Sequence, residues 1–324
     1  MKIVKRILIV ISLLIILSVL GGYIYFKFAF RPPANELVRS SQDHSIPFRW
    51  DTTFMNKELN PYSAMLLPVT IPGCTQTFFM QFDLGSPVSL FYLNKLKAIN
   101  TRFNNITVQH QNKKNYLLNY SFQIGAMPVT ARQISVRQYD STGIDWNSNE
   151  PVIIGTIGAD LIEDKVVLID YPRQAIYLSD TIPADIAGKV QLSPFTFEQR
   201  RVLLPAVIDR KKKNIFFDTG SSAFELLTDE STFSHLSKKA APVDSFTVNS
   251  WNNTLYAFSA PTDHSIQFGA VQIPLKKLTY IKGTAFWQRA LMKLSNIGGM
   301  TGNKLFVNKL LVLDTKNQRF GIAE

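Results

Sequence analysis

The sequence predicts a mainly β protein built from two similar halves, and three observations predict it. From about Ser45 onward, short apolar runs alternate with Pro, Gly, Asn and Asp, the pattern of strands and turns. The stretch Phe79-Met80-Gln81-Phe82-Asp83-Leu84-Gly85-Ser86 returns as Ile215-Phe216-Phe217-Asp218-Thr219-Gly220-Ser221. Other segments repeat at a common spacing, among them Ser121-Phe122-Gln123-Ile124-Gly125-Ala126 and Ser265-Ile266-Gln267-Phe268-Gly269-Ala270. One Asp-x-Gly-Ser is an ordinary turn with an Asx hydrogen bond. Two copies, each leaving the same kind of apolar strand, point to two halves that each deliver a carboxylate to a shared site.

The first element is Ile7 through Phe26, which carries no charge. That is long enough to cross a bilayer core as a helix, which takes about 20 residues. Lys2, Lys5 and Arg6 precede it, and the positive-inside tendency keeps that end cytoplasmic. The rest of the chain is then expected outside the cytoplasm. A cleaved signal peptide ending near Val19-Leu20-Gly21 is the competing reading; the length of the run and the interfacial Tyr23 and Tyr25 favour an uncleaved anchor. Residues 27–45, with Pro32-Pro33, read as a polar tether.

The first half, 46–186, opens with a hairpin: strand Leu66 to Ile71, turn Pro72-Gly73, and return strand Thr77 to Phe82, ending on Asp83. The second half, 187–324, repeats it with strand Val202 to Ile208, a turn from Asp209 to Asn214, and Ile215 to Phe217 ending on Asp218. Each half closes with a glycine, a buried strand (Val166 to Ile169, Leu310 to Leu313), an aspartate turn (Asp170, Asp314) and a last strand. The division between halves is expected near Ile182 to Lys189.

Composition narrows the function classes. A chain of 324 residues with 46% hydrophobic and 18% charged residues folds and is not disordered. The net charge of +11 comes from scattered Lys and Arg, which suits either solubility or attraction to an anionic membrane surface. No basic motif interleaved with aromatics is present, so no nucleic-acid partner is expected, and Lys211-Lys212-Lys213 reads as a hairpin tip. A single cysteine, Cys74, excludes an intrachain disulfide and a cysteine-rich metal site. His44, His110, His235 and His264 have no metal-ligand spacing and read as surface or turn residues, and a water activated by two carboxylates would need neither a metal nor an organic cofactor. None of them lies near Ser86 or Ser221 in sequence to serve a serine nucleophile. Asn105, Asn119 and Asn252 head tripeptides that are glycosylation sequons only in a source that glycosylates.

These residues resemble the two-lobed aspartic peptidases with the pepsin-like fold, in a membrane-anchored form of bacterial type. The resemblance rests on the two Asp-x-Gly-Ser loops and on two strand-to-glycine segments, Ile153-Ile154-Gly155-Thr156-Ile157-Gly158-Ala159-Asp160-Leu161 and Met300-Thr301-Gly302-Asn303-Lys304-Leu305-Phe306. The first half looks closer to the single-lobe retropepsin type. The resemblance covers roughly residues 60 to 324 and implies an inter-lobe cleft that binds a peptide or protein substrate. It implies that Asp83 and Asp218 form a catalytic dyad in a monomer, since two carboxylates about 3 Å apart hold one proton and divide into acid and base. It implies that Gly85 and Gly220 let the loops approach, that Ser86 and Ser221 bond the carboxylates, and that Thr219 links the loops beneath them.

The sequence departs from that family in three places. Leu84 stands where threonine or serine is usual, Thr301 replaces an apolar residue, and no Tyr-x-Thr-Gly flap motif lies between Asp83 and Gly158. Tyr116 and Tyr120 are the nearest aromatics ahead of the Ser121 strand. Asp160 is matched by Lys304 in the repeat, which argues against a symmetric role. The alternative expectation is an inactive module that grips an extended peptide.

Overall fold

A computed structural model describes residues 31–323 except Ser41, Asn56, Lys57, Asp140, Trp251, Asn252 and 283–296, together with Ser18, Gly21 and Gly22. The chain divides into a unit of residues 1–34 and a unit of residues 35–324, and the second carries the fold described below. The stretch 7–26 read as a membrane span lies almost wholly outside the described residues. Among the described residues no helix is long and apolar enough to cross a membrane.

Among the described residues strands dominate and gather into three sheets of nine, six and ten strands. The nine-stranded sheet holds the first aspartate strand, Thr77–Phe82, and the ten-stranded sheet holds the second, Lys211–Phe217. In both, the aspartate strand pairs antiparallel with the strand before it and parallel with the strand-to-glycine segment. The registers correspond: Ile157 lies opposite Phe82, and Thr301 opposite Phe217. Along Thr77–Phe82 the residues Phe78, Met80 and Phe82 are buried and their neighbours are not, the period-2 pattern of a strand with one face on the core.

The six-stranded sheet joins the halves. Val166–Asp170 runs antiparallel to Leu310–Asp314, with Val166 opposite Asp314, Leu168 opposite Val312 and Asp170 opposite Leu310. That register is symmetric about its midpoint, as expected when repeated strands meet across a two-fold axis. Asp170 and Asp314 each accept a backbone amide three residues on, at 3.0 Å from Arg173 and 2.9 Å from Asn317, so both are turn residues. Residues 184–187, near the expected division between halves, form a short helix.

Two features differ from the sequence reading. Part of the stretch read as tether is strand: Leu37–Arg39 pairs with Val129 to Ala131, and His44–Pro47 pairs with Ala175 to Leu178. One apolar side chain in each piece, Leu37 and Ile46, is buried, which gives these polar segments their hold on the sheets. The second hairpin turn is only Asp209-Arg210, both left-handed at φ 48° and 61°. A two-residue turn of that kind matches the strand twist, so Lys211, Lys212 and Lys213 are strand residues opposite Ile208, Val207 and Ala206 instead of a tip.

Candidate functional site

Asp83 and Asp218 come from the ends of equivalent strands and are brought together. The Asp83 amide donates to the Ile157 carbonyl and the Asp218 amide to the Thr301 carbonyl, both at 2.9 Å. Each loop then closes on its own aspartate. Gly85 N–H donates to Asp83 Oδ1 at 2.9 Å, and Gly220 N–H to Asp218 Oδ1 at 2.8 Å. Ser86 N–H and Ser221 N–H donate to the Asp83 and Asp218 carbonyls, both at 3.1 Å.

The glycines are required by the approach of the opposite carboxylate. A Cβ on Gly85 would lie 2.5 Å from Asp218 Oδ1, and one on Gly220 would lie 2.6 Å from Asp83 Cγ. Any side chain at either position would therefore push the two acids apart. Burial, the adjacent Asp218 charge and a hydrogen bond to Asp218 together push the Asp83 carboxyl up to about 8. Amides of Gly85 and Ser86 oppose the shift without cancelling it.

Beneath the acids the loops are linked from one side. Thr219 Oγ1 donates to the Phe82 carbonyl and accepts from the Leu84 amide, both at 2.8 Å. Leu84 is buried in the apolar core and has no hydroxyl to return. The serines differ as well. Ser221 Oγ donates to Asp218 Oδ2 at 3.0 Å, whereas Ser86 Oγ donates to the Val88 carbonyl at 2.8 Å. The expectation that Ser86 bonds a carboxylate through its hydroxyl is thus corrected: Val88 offers a carbonyl two residues away and captures it.

The sequence reading assigned no supporting role to Asn303, Ser89, Asp160 or Thr301. Asn303 is fully buried and donates to the Thr219 carbonyl and to Ser222 Oγ, both at 3.0 Å, while its Oδ1 accepts from Tyr171 at 2.8 Å. Its place directly after Gly302 was the signal. In the first half the brace is a buried carboxyl whose pKa burial raises: Asp160 accepts from Ser89 N–H and Ser89 Oγ, both at 2.7 Å, and Ser89 Oγ accepts from Gly158 N–H at 3.0 Å. Thr301 donates to the Glu225 carbonyl at 2.6 Å, which satisfies the hydroxyl in an otherwise apolar position.

Gln81 lies on the strand Thr77–Phe82, two residues before Asp83. It borders a cavity of about 350 Å³ with Tyr92, Tyr139, Asp145, Glu150 and Ile153 on its walls. The rings of Tyr92 and Tyr139 stack 4.4 Å apart there. Tyr120 packs edge-on against Phe91, with centroids 6.0 Å apart, so its ring belongs to the core. The hairpin tip between Gln109–Gln111 and Lys114–Ile124 is Asn112-Lys113, both left-handed. Among the described residues, no group of three or more His, Cys, Asp or Glu could hold a metal ion.

No family model matches the chain, and no curated protein does. Among solved structures, the chain is similar to an aspartic proteinase from Irpex lacteus at 12% identity and a TM-score of 0.47, over 87% of this chain and 97% of that one.

Proposed function

We propose that the protein is an aspartic endopeptidase with the two-lobed pepsin-like fold, held by residues 7–26 in a membrane of bacterial type with its cleft on the extracytoplasmic side. The reading rests on one observation. Two carboxylates on equivalent loops approach closely in a buried setting, and that burial, with the neighbouring Asp218, raises the Asp83 pKa to about 8. Such a pair carries one proton between acid and base over a wide pH range. Asp218, which accepts from Gly220 N–H and Ser221 Oγ, is equipped to carry the negative charge.

The chemistry follows from that division. Asp218 takes a proton from a water whose oxygen bonds the peptide carbonyl carbon, and Asp83 gives its proton to the carbonyl oxygen. The resulting diol collapses when the proton on Asp218 passes to the amide nitrogen, the C–N bond breaks, and a diol proton returns to Asp83. No metal or organic cofactor enters these steps. A side chain of the bound peptide has room in the cavity beside Gln81.

The full chain in detergent, incubated with a denatured protein across a pH series, tests the reading, with Asp218→Asn as control. Fragments from the wild type and none from the variant are expected; cleavage that survives the substitution overturns the dyad. A second reading, a silent module that binds extended peptides, is favoured by Leu84 and by the Ser86 hydroxyl turned to Val88. Retained peptide binding with no cleavage at any pH would select it.

A further inference from the structure

The turn Ala159–Leu161 and the residues just after it gather bonds from three separate parts of the chain. From the loop that carries Asp83, Ser86 O accepts the Ala159 amide at 2.8 Å, and Ser89 binds the Asp160 carboxylate twice. From the second half comes Arg200, only 3% exposed, whose Nη2 meets Glu163 Oε2 at 2.9 Å and whose Nη1 donates to the Pro87 carbonyl at 3.2 Å. From the N-terminal side come Asn35 and Arg39. Asn35 Nδ2 donates to Asp160 O at 2.8 Å, and Arg39 donates to the carbonyls of Leu161 and, at 2.9 Å, Glu163.

We infer that Asn35 and Arg39 are positioning residues for Asp83, clamping the turn that holds its loop in place. The chain of contacts is short: Arg39 to Leu161 and Glu163, Asp160 to Ser89, and Ser89 Oγ to the Gly158 amide, while Ile157 O takes the Asp83 amide itself. The clamped carbonyls lie at the C-terminal end of the 3₁₀ turn, where a guanidinium meets partial negative charge and satisfies acceptors the turn leaves free. Strand pairing at Leu37–Arg39 fixes the backbone from which the guanidinium reaches. The residues that follow the sequence-predicted membrane span are therefore part of the support of the acid pair. The effect on turnover rests on the peptidase reading; the effect on the loop does not.

Full-length wild type, Arg39→Ala and Arg39→Lys in detergent separate these claims through two readouts. In hydrogen exchange, Arg39→Ala is expected to speed amide exchange in segments 83–89 and 157–161 on the order of tenfold, with distant strands unchanged. In peptide cleavage, it is expected to lower kcat on the order of tenfold to a hundredfold at constant KM, because a displaced loop misplaces the acid. Added guanidinium ion should restore part of that loss, which a general loss of folding would not permit. Arg39→Lys, which keeps the stem and charge, is expected to be intermediate in both and serves if the alanine variant fails to fold. Unchanged exchange in both segments overturns the inference, as does an unchanged kcat in an active enzyme. A wild type that cleaves nothing while Arg39→Ala still loosens 83–89 keeps the clamp and removes the peptidase reading.

Discussion

The Thr219 hydroxyl accepts the Leu84 amide and donates to the Phe82 carbonyl, both at 2.8 Å, so one side chain of the second half holds the backbone on both sides of Asp83. Leu84 contributes apolar packing and no reciprocal bond. Thr219→Val keeps the shape and leaves the buried amide and carbonyl without partners. It is expected to lower stability by about 1–3 kcal/mol, read as a shift of the urea midpoint at unchanged slope.

The raised carboxyl of Asp83 makes stability depend on pH in a defined direction. An unfolded aspartate titrates near 3.9, whereas the folded one titrates near 8. Between those values the folded state binds the extra proton, so this group stabilises the fold below about pH 4 and loses that contribution as pH rises through about 8. Asp83→Asn removes the dependence. The thermal midpoint of the variant relative to wild type should climb from pH 4 to pH 8 and level off above it; a constant difference would contradict the coupling.

Cleavage should follow the same titration from the other side. Activity is expected to fall as pH rises through about 8, when Asp83 gives up the proton it donates. A pH–rate profile on a denatured protein substrate checks this, and a profile flat to pH 10 would separate the reaction from Asp83.

The two loop serines should not be equivalent. Ser221→Ala removes a hydrogen bond to Asp218 Oδ2 and is expected to lower cleavage on the order of tenfold, since bonds to charged groups contribute about 1.5–3 kcal/mol. Ser86→Ala removes a bond to a backbone carbonyl and should leave the rate within about twofold. Equal losses would mean that the Ser86 hydroxyl serves the carboxylate after all.

Tyr171 and Asn303 tie the connecting sheet to the Asp218 loop. Tyr171→Phe strips Asn303 Oδ1 of its 2.8 Å partner in a buried setting, an expected loss of about 1–3 kcal/mol. A thermal midpoint equal to wild type would show that water or another group replaces the phenol.

Much of this architecture was legible because strand periodicity and backbone sterics act on local sequence. The alternation from Thr77 to Phe82 fixes which face Asp83 leaves, and the glycine two residues later marks a place where only backbone fits. What could not be read is decided by single contacts. One carbonyl at Val88 turns the Ser86 hydroxyl away, and one buried side chain each at Leu37 and Ile46 recruits a polar segment into a sheet. The clamp residues Asn35 and Arg39 meet their partners more than a hundred positions away, and no local pattern encodes such a meeting.

The antiparallel pairing of Val166–Asp170 with Leu310–Asp314 leaves neither half self-sufficient. Separated, each would carry a bare row of amides and carbonyls along that strand, and the most available complement would be another copy of itself. An isolated half should thus be drawn toward a homodimer, in which identical subunits restore the seam that the fused chain closes within one molecule.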